Sequence, residues 1–229
     1  MEIYRDPWYN IKNRLAGGGN GMNKYFAWFG MQGTFVLTVL MSAFALVLAI
    51  IFPDKSRWFC LAAMIFSSFG DLVLTNFRNI SYKLPIPSIY LGVVLFAIAH
   101  VFYTCGYMRL AKGLDGTFWN PGAFVALAIV ILCAAYVLIS GIRNGNRQWM
   151  LILVCLVYAF VIGVNCVTVF SFSWNVRSWR SIAALGALSF YLSDILIGLE
   201  MISRIHKNWI QEGIWWLYPV GQILLILCG

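Results

Sequence analysis

Two aspartates stand where so apolar a chain can least easily hold a charge. Asp194 lies in the middle of IAALGALSFYLSDILIGLEMI, residues 182–202, and Asp71 lies toward one end of CLAAMIFSSFGDLVLTNF, residues 60–77. The first stretch is long enough to cross a bilayer as a helix, and the second lies in an apolar run of about the same length. A carboxylate at bilayer depth costs at least ~2.5–3.5 kcal/mol on insertion scales, so a fold that keeps one gives it a partner and commonly a task. Two carboxylates sharing one dry pocket repel each other. That separates them into a proton donor and a proton acceptor, the arrangement used for general acid–base hydrolysis. The plainer alternative is that both aspartates only join neighbouring helices, through Ser67, Ser68, Asn76 or Ser193. Neutral Ser or Asn would join helices at lower cost, which favours the chemical reading.

Other polar side chains fall inside apolar stretches. His100 is followed three residues later by Tyr103, a spacing that puts both on one helix face and predicts that His100 or Tyr103 lines the cavity of the aspartates. Tyr218 and Gln222 lie in the last apolar run, and Ser193 stands beside Asp194. Asn165 and Glu200 read as structural, Glu200 being one turn from a helix end and able to snorkel. These groups predict a common polar level within one bundle.

The elements that must hold them follow from composition. The 229 residues are 62% hydrophobic and 10% charged, with mean hydropathy +0.82, against about 45–50% apolar and about 25% charged in a soluble domain. The apolar runs come in lengths of about 20, as membrane-crossing helices need, rather than the alternating segments of about 10 of a barrel. The predicted fold is all-α, a polytopic transmembrane helical bundle of seven spans. They start at about Lys24 or Gly33 and run to Phe52, then Trp58–Phe77, Ser88–Leu110, Gly122–Ser140, Trp149–Phe170, Ile182–Ile202 and Ile214–Cys228. Residues 1–23 read as a polar leader with a glycine hinge at Gly17, Gly18 and Gly19, and 24–229 as a single transmembrane helical domain. The over-long first run predicts an interfacial turn around Gly30 to Gly33.

The net charge of +8 comes from basic residues in short loops, which suits lipid phosphates and membrane orientation and gives no reason to invoke nucleic acid. Ten of the sixteen Lys and Arg residues fall on the side of the N-terminus when seven spans are counted, favouring that side as the inside. Under this topology the second and sixth spans run in the same direction. Asp71 lies about fourteen residues into its span and Asp194 about thirteen into its own, so at ~1.5 Å per residue the two reach similar depth. The six cysteines lie in or at the ends of apolar runs and read as packing residues, with no disulfide framework or zinc motif. No signal peptide is expected, because the leader has no apolar core.

Four short patterns in order carry a family resemblance: SSFGDLVL on the second span, Gly92-x3-Phe96-x3-His100-x2-Tyr103 on the third, GALSFYLSDILI on the sixth and Tyr218-x3-Gln222-x-Leu224 on the last. From about Leu61 to the end the chain resembles the YhhN-like lysoplasmalogenase family of membrane proteins. The resemblance implies a hydrolase that cleaves the vinyl ether bond of lysoplasmalogens to a fatty aldehyde and a glycerophospho-alcohol. It implies Asp71 and Asp194 as the catalytic pair and His100, Tyr103, Ser193, Tyr218 and Gln222 as substrate-binding positions, with no cofactor or metal. It also implies eight spans and an early Lys-Pro-type pair, whereas hydropathy marks seven spans and no such Lys stands inside the first.

The implied substrate is a lysophospholipid within the bilayer, which enters sideways with its chain among the helices and its phosphate near basic loops. The expected location is the cell membrane in a bacterium and the endoplasmic reticulum in a eukaryote; the sequence leaves open whether the chain forms a homo-oligomer. A competing reading is a proton-coupled transporter or channel that uses the same aspartates as a relay, weakened by the lack of an internal repeat. An intramembrane aspartyl protease is disfavoured because Ser68-Phe69-Gly70-Asp71 stands where such enzymes have Gly-x-Gly-Asp. The loops are too small for a receptor that binds a sizeable partner.

Overall fold

In the computed structural model seven α-helices among the described residues form a bundle: α1 (Gly21–Ile51), α2 (Lys55–Leu74), α3 (Ser88–Ala111), α4 (Pro121–Arg143), α5 (Trp149–Asn175), α6 (Ala183–Met201) and α7 (Asn208–Cys228). The structure describes residues 21–75, 86–205 and 207–229. The expected glycine hinge and the basic residues Arg5, Lys12, Arg14, Arg78 and Lys83 lie outside the described residues. No strand occurs among the described residues.

Local sequence explains most of the boundaries. Asp54 caps α2 by accepting from the Ser56 N–H at 3.0 Å, and Asn120 caps α4 by accepting from the Ala123 N–H at 3.0 Å, with Pro121 in the first turn. A 3₁₀ turn, Trp179–Ile182, leads into α6. The last turn of α6 gives way to Arg204 in the left-handed region at φ 54°. Asn144 and Asn146 donate to the carbonyls of Ser203 and Ile202 at 2.6 and 2.9 Å, and Ser203 donates to the Val137 carbonyl at 3.0 Å. These bonds tie the α4–α5 turn to the end of α6.

Several boundaries differ from the sequence expectation, and α5 runs five residues past Phe170, to Asn175. The α1 helix runs unbroken from Gly21, so the turn expected around Gly30 to Gly33 is not made: glycines are tolerated where hydrophobic length carries the helix on. The α7 helix begins at Asn208, six residues ahead of its apolar run, because Gln211 and Glu212 still belong to its first turns. Among the described residues six helices are long and apolar enough to cross a membrane; α7, with Gln211, Glu212, Pro219 and Gln222, falls below that level.

Short connections, such as residues 52–54 and 144–148, force successive helices to run antiparallel. The packing closes a ring in the order α1, α2, α3, α5, α6, α7 and back to α1, with α4 lying outside against α5 and α6. Large apolar side chains face outward, Phe160 being 72% and Leu132 69% exposed, while Asp71, His100 and Gln222 are buried. Apolar outside and polar inside is the pattern of a chain solvated by lipid.

Two glycines set the α6–α7 contact. A Cβ on Gly221 would come within 2.8 Å of the Phe190 nitrogen and 3.0 Å of the Gly186 carbonyl, and one on Gly186 within 2.8 Å of Leu224. The close approach of the backbones brings the helix of Asp194 against the helix of Tyr218.

Candidate active site

Asp71 on α2 and Asp194 on α6 line one cavity of about 150 Å³. All seven helices contribute to its wall, which is largely aliphatic, with Leu74, Val93, Val137, Ile152, Leu156 and Ile197 among the lining. The lining residues come from the start of α3, α5 and α7 and the ends of α2, α4 and α6. In an antiparallel bundle those segments share one half of the membrane, the half that ends at the stapled α4–α5 turn.

Each carboxylate is held by a phenol. Tyr218 donates to Asp71 Oδ2 at 2.8 Å and Tyr158 donates to Asp194 Oδ2 at 2.8 Å. Both tyrosines also line the cavity. The serines weighed from sequence as partners of Asp71 bond elsewhere: Ser68 meets Ser42 at 2.9 Å and the Met64 carbonyl at 3.0 Å, and Ser67 accepts from Gln222 at 3.2 Å. A phenol on another helix reaches farther than a hydroxymethyl group.

Behind Asp71 the bonds continue. Gln222 Nε2 lies 3.4 Å from the Tyr218 oxygen, and its Oε1 accepts from Tyr103 at 2.6 Å. The Tyr103 bond fixes the amide, so Gln222 presents N–H groups to Ser67 and Tyr218, and Tyr218 is left to give its own proton to the carboxylate. Behind Asp194 stands His100, whose Nε2 is 3.8 Å from Asp194 Oδ2. His100 Nδ1 lies 3.2 Å from Asn165 Nδ2. The Phe190 ring packs edge-on against His100 at 4.5 Å between centroids and against Tyr218 at 5.3 Å, so one aromatic ring touches both sides.

Of the positions singled out in the sequence, Asp71, Asp194, Ser193 and Tyr218 line the cavity. His100, Tyr103 and Gln222 are buried behind that wall rather than in it, which corrects the expectation that His100 or Tyr103 would face the cavity. Their shared face on α3 points to the second row because Phe96, one turn earlier, occupies the wall in their place. Glu200 does not snorkel: it is buried and accepts from Gln211 of α7. Tyr158 is the residue that sequence reading missed. Its signal was its place seven residues before Asn165, two turns along the same face of an otherwise apolar span. Among the described residues no three His, Cys, Asp or Glu side chains come together as a metal site would need.

The sequence model of the YhhN family matches residues 32–228. The chain belongs to the YhhN family. The match covers the whole of the bundle beyond the first turns of α1, so both aspartates, both phenols and the second row of this YhhN protein fall within it. No curated protein and no solved structure matches the chain.

Proposed function

We propose that this YhhN protein hydrolyses the vinyl ether bond of lysoplasmalogens, with Asp71 and Asp194 as the acid–base pair. The observation that carries this reading is that two carboxylates from different helices, each held by a phenol, line a single cavity with a largely aliphatic wall. Such a wall suits an alkenyl chain, and the pair suits proton transfer away from bulk water. Family membership supports the reading at the level of the family.

One carboxylic acid delivers its proton to the vinyl carbon farther from the ether oxygen, leaving a cation shared between the other carbon and that oxygen. Water adds to this carbon and loses a proton to the second carboxylate. The hemiacetal then breaks: its hydroxyl proton returns to the first aspartate, and the second protonates the departing alcohol oxygen. Aldehyde and glycerophospho-alcohol leave and the pair is reset. The cation resembles that of glycoside hydrolysis, where two carboxyl groups do the same work. Arg143, Arg147, Arg204 and Lys207 are exposed at the end of the bundle nearer the cavity, as cations that meet a lipid phosphate would be.

The test is mass spectrometry of a lysoplasmalogen incubated with the purified protein in detergent. Fatty aldehyde is expected, released more slowly in heavy water. The saturated alkyl-ether analogue has no alkene to protonate and is expected to inhibit competitively without reacting. Movement of both lipids across a vesicle membrane by folded protein, with no aldehyde from either, would replace the hydrolase by a proton-coupled transporter.

A further inference from the structure

The Nε2 atom of His100 is buried and has no hydrogen-bond partner, although the nearest carboxylate oxygen, Asp194 Oδ2, is 3.8 Å away. The other ring nitrogen is engaged, 3.2 Å from the side-chain amide of Asn165 on α5. Which atom of that amide faces the ring decides what Nε2 can do. If Asn165 presents its NH2 group, Nδ1 is an acceptor and the ring proton sits on Nε2. If it presents its carbonyl, the proton sits on Nδ1 and a lone pair points toward Asp194.

Thr104 does not decide between the two. It donates to the His100 carbonyl at 2.8 Å, and its contact with Asn165 Oδ1, at 3.5 Å, is too long to hold the amide. The carboxylate does decide. With Asp194 as the ionised member of the pair, a lone pair aimed at its oxygen is repelled, whereas an N–H aimed at it is attracted, so only the first orientation agrees with what Nε2 faces.

We propose that Asn165 is a positioning residue that locks His100 in the Nε2–H tautomer and so makes the ring a hydrogen-bond donor toward Asp194. The Tyr158 proton and the Nε2 proton then converge on the same oxygen, Oδ2. That leaves Oδ1 of Asp194 for the water or the substrate in the cavity. His100 is accordingly not the general base at Nε2, because that nitrogen already carries its proton. The assignment of the tautomer rests on the geometry and on an ionised Asp194; its effect on turnover rests on the hydrolase reading above.

The chain holds two histidines, His100 and His206, so histidine-selective ¹⁵N labelling of the full chain in detergent micelles yields two ring systems. His100→Gln identifies the signals of His100 by their loss. A neutral ring protonated at Nε2 is the expected signature for His100 in the native protein. A neutral ring protonated at Nδ1, or an imidazolium, overturns the proposal whether or not the protein hydrolyses any lipid. Asn165→Asp puts an acceptor opposite Nδ1 and is expected to place a proton on Nδ1, giving an imidazolium between two carboxylates or a neutral Nδ1–H ring. Its kcat for aldehyde release is expected to fall with KM unchanged, roughly 10–100-fold, the size of loss seen when an outer partner that orients a metal-ligating histidine is removed. An unchanged tautomer in a folded Asn165→Asp protein also overturns the proposal. If that variant does not fold, the native spectrum decides alone. If no lysoplasmalogen is hydrolysed, the spectrum still tests Asn165 and only the proposed reaction falls.

Discussion

The two aspartates have the same kind of immediate partner, a tyrosine from another helix, and different backing. On the Asp71 side, Tyr218, Gln222, Tyr103 and Ser67 form a chain of hydrogen bonds contributed by α2, α3 and α7. On the Asp194 side, the second row is His100 with Asn165, and two buried polar atoms, His100 Nε2 and Ser193 Oγ, have no partner. A satisfied network rigidifies its members, whereas an orphaned buried donor favours any small motion that gives it an acceptor. One helix, α3, therefore serves both sides in different ways: Tyr103 closes a network and His100, three residues earlier, leaves one open.

The largest expected effect treats the sides alike. Asp71→Asn and Asp194→Asn should each reduce aldehyde release by about 10²–10⁴-fold while the protein stays folded, since Asn keeps the shape and cannot transfer the proton. Wild-type release from either variant, measured on folded protein, would assign that aspartate a structural role and end the symmetry.

Next in size is the joint between the sides. Gly221→Ala places a methyl group against the Phe190 nitrogen and the Gly186 carbonyl, both backbone atoms. Overpacking of this kind costs typically ~1–3 kcal/mol. Thermal unfolding in detergent should show that loss, and activity should fall with it because α6 and α7 carry Asp194 and Tyr218. A Gly221→Ala protein as stable and active as the native one would show that the two helices can separate without consequence.

A double-mutant cycle sharpens the contrast between networks. Tyr103→Phe or Gln222→Met alone leaves a buried partner unsatisfied, whereas the pair removes both ends of one bond, so the double variant should lose less stability than the two losses combined, by ~0.5–3 kcal/mol. Gln222→Met with Tyr158→Phe crosses from one side to the other, shares no hydrogen-bond partner and should be additive within ~0.5 kcal/mol. Strong coupling in the second pair would mean that the two sides form a single network.

The smallest effect is a control at the far end of the bundle. Asp54, exposed before α2, accepts from the Ser56 backbone N–H, which holds its carboxyl below the ordinary value of 3.8. Its stabilisation is therefore fully present above that value and disappears as the pH falls through the lower value of the folded state. Asp54→Ala should cost about 0.5–1 kcal/mol at neutral pH, with the gap to the native protein narrowing below about pH 3.8 and the catalytic rate unaffected.

Several features are legible in the order of residues alone. Six of the seven described helices follow from hydropathy and length, properties carried by about 20 consecutive residues. The matched depth of Asp71 and Asp194 follows from counting along them, because helical rise is regular. The identity of the partners is not legible. Serines adjacent in sequence look like natural partners for a buried acid, yet Ser67 and Ser68 turn to Gln222 and Ser42, and the tyrosines that hold the acids lie 147 and 36 residues away in the chain.

Apolar runs and helical rise are enough to make this chain a helical membrane protein with its two carboxylates at one level. Packing between helices is what gives them Tyr158 and Tyr218, sets His100, Tyr103 and Gln222 one row behind the cavity, and brings Asn165 to the ring of His100. The reason is rotational. Depth along a helix is set by the chain's own geometry, but successive residues point about 100° apart around the axis. Which of them faces a neighbour is fixed by how whole helices pack, and in this bundle by contacts such as that of Gly186 with Gly221.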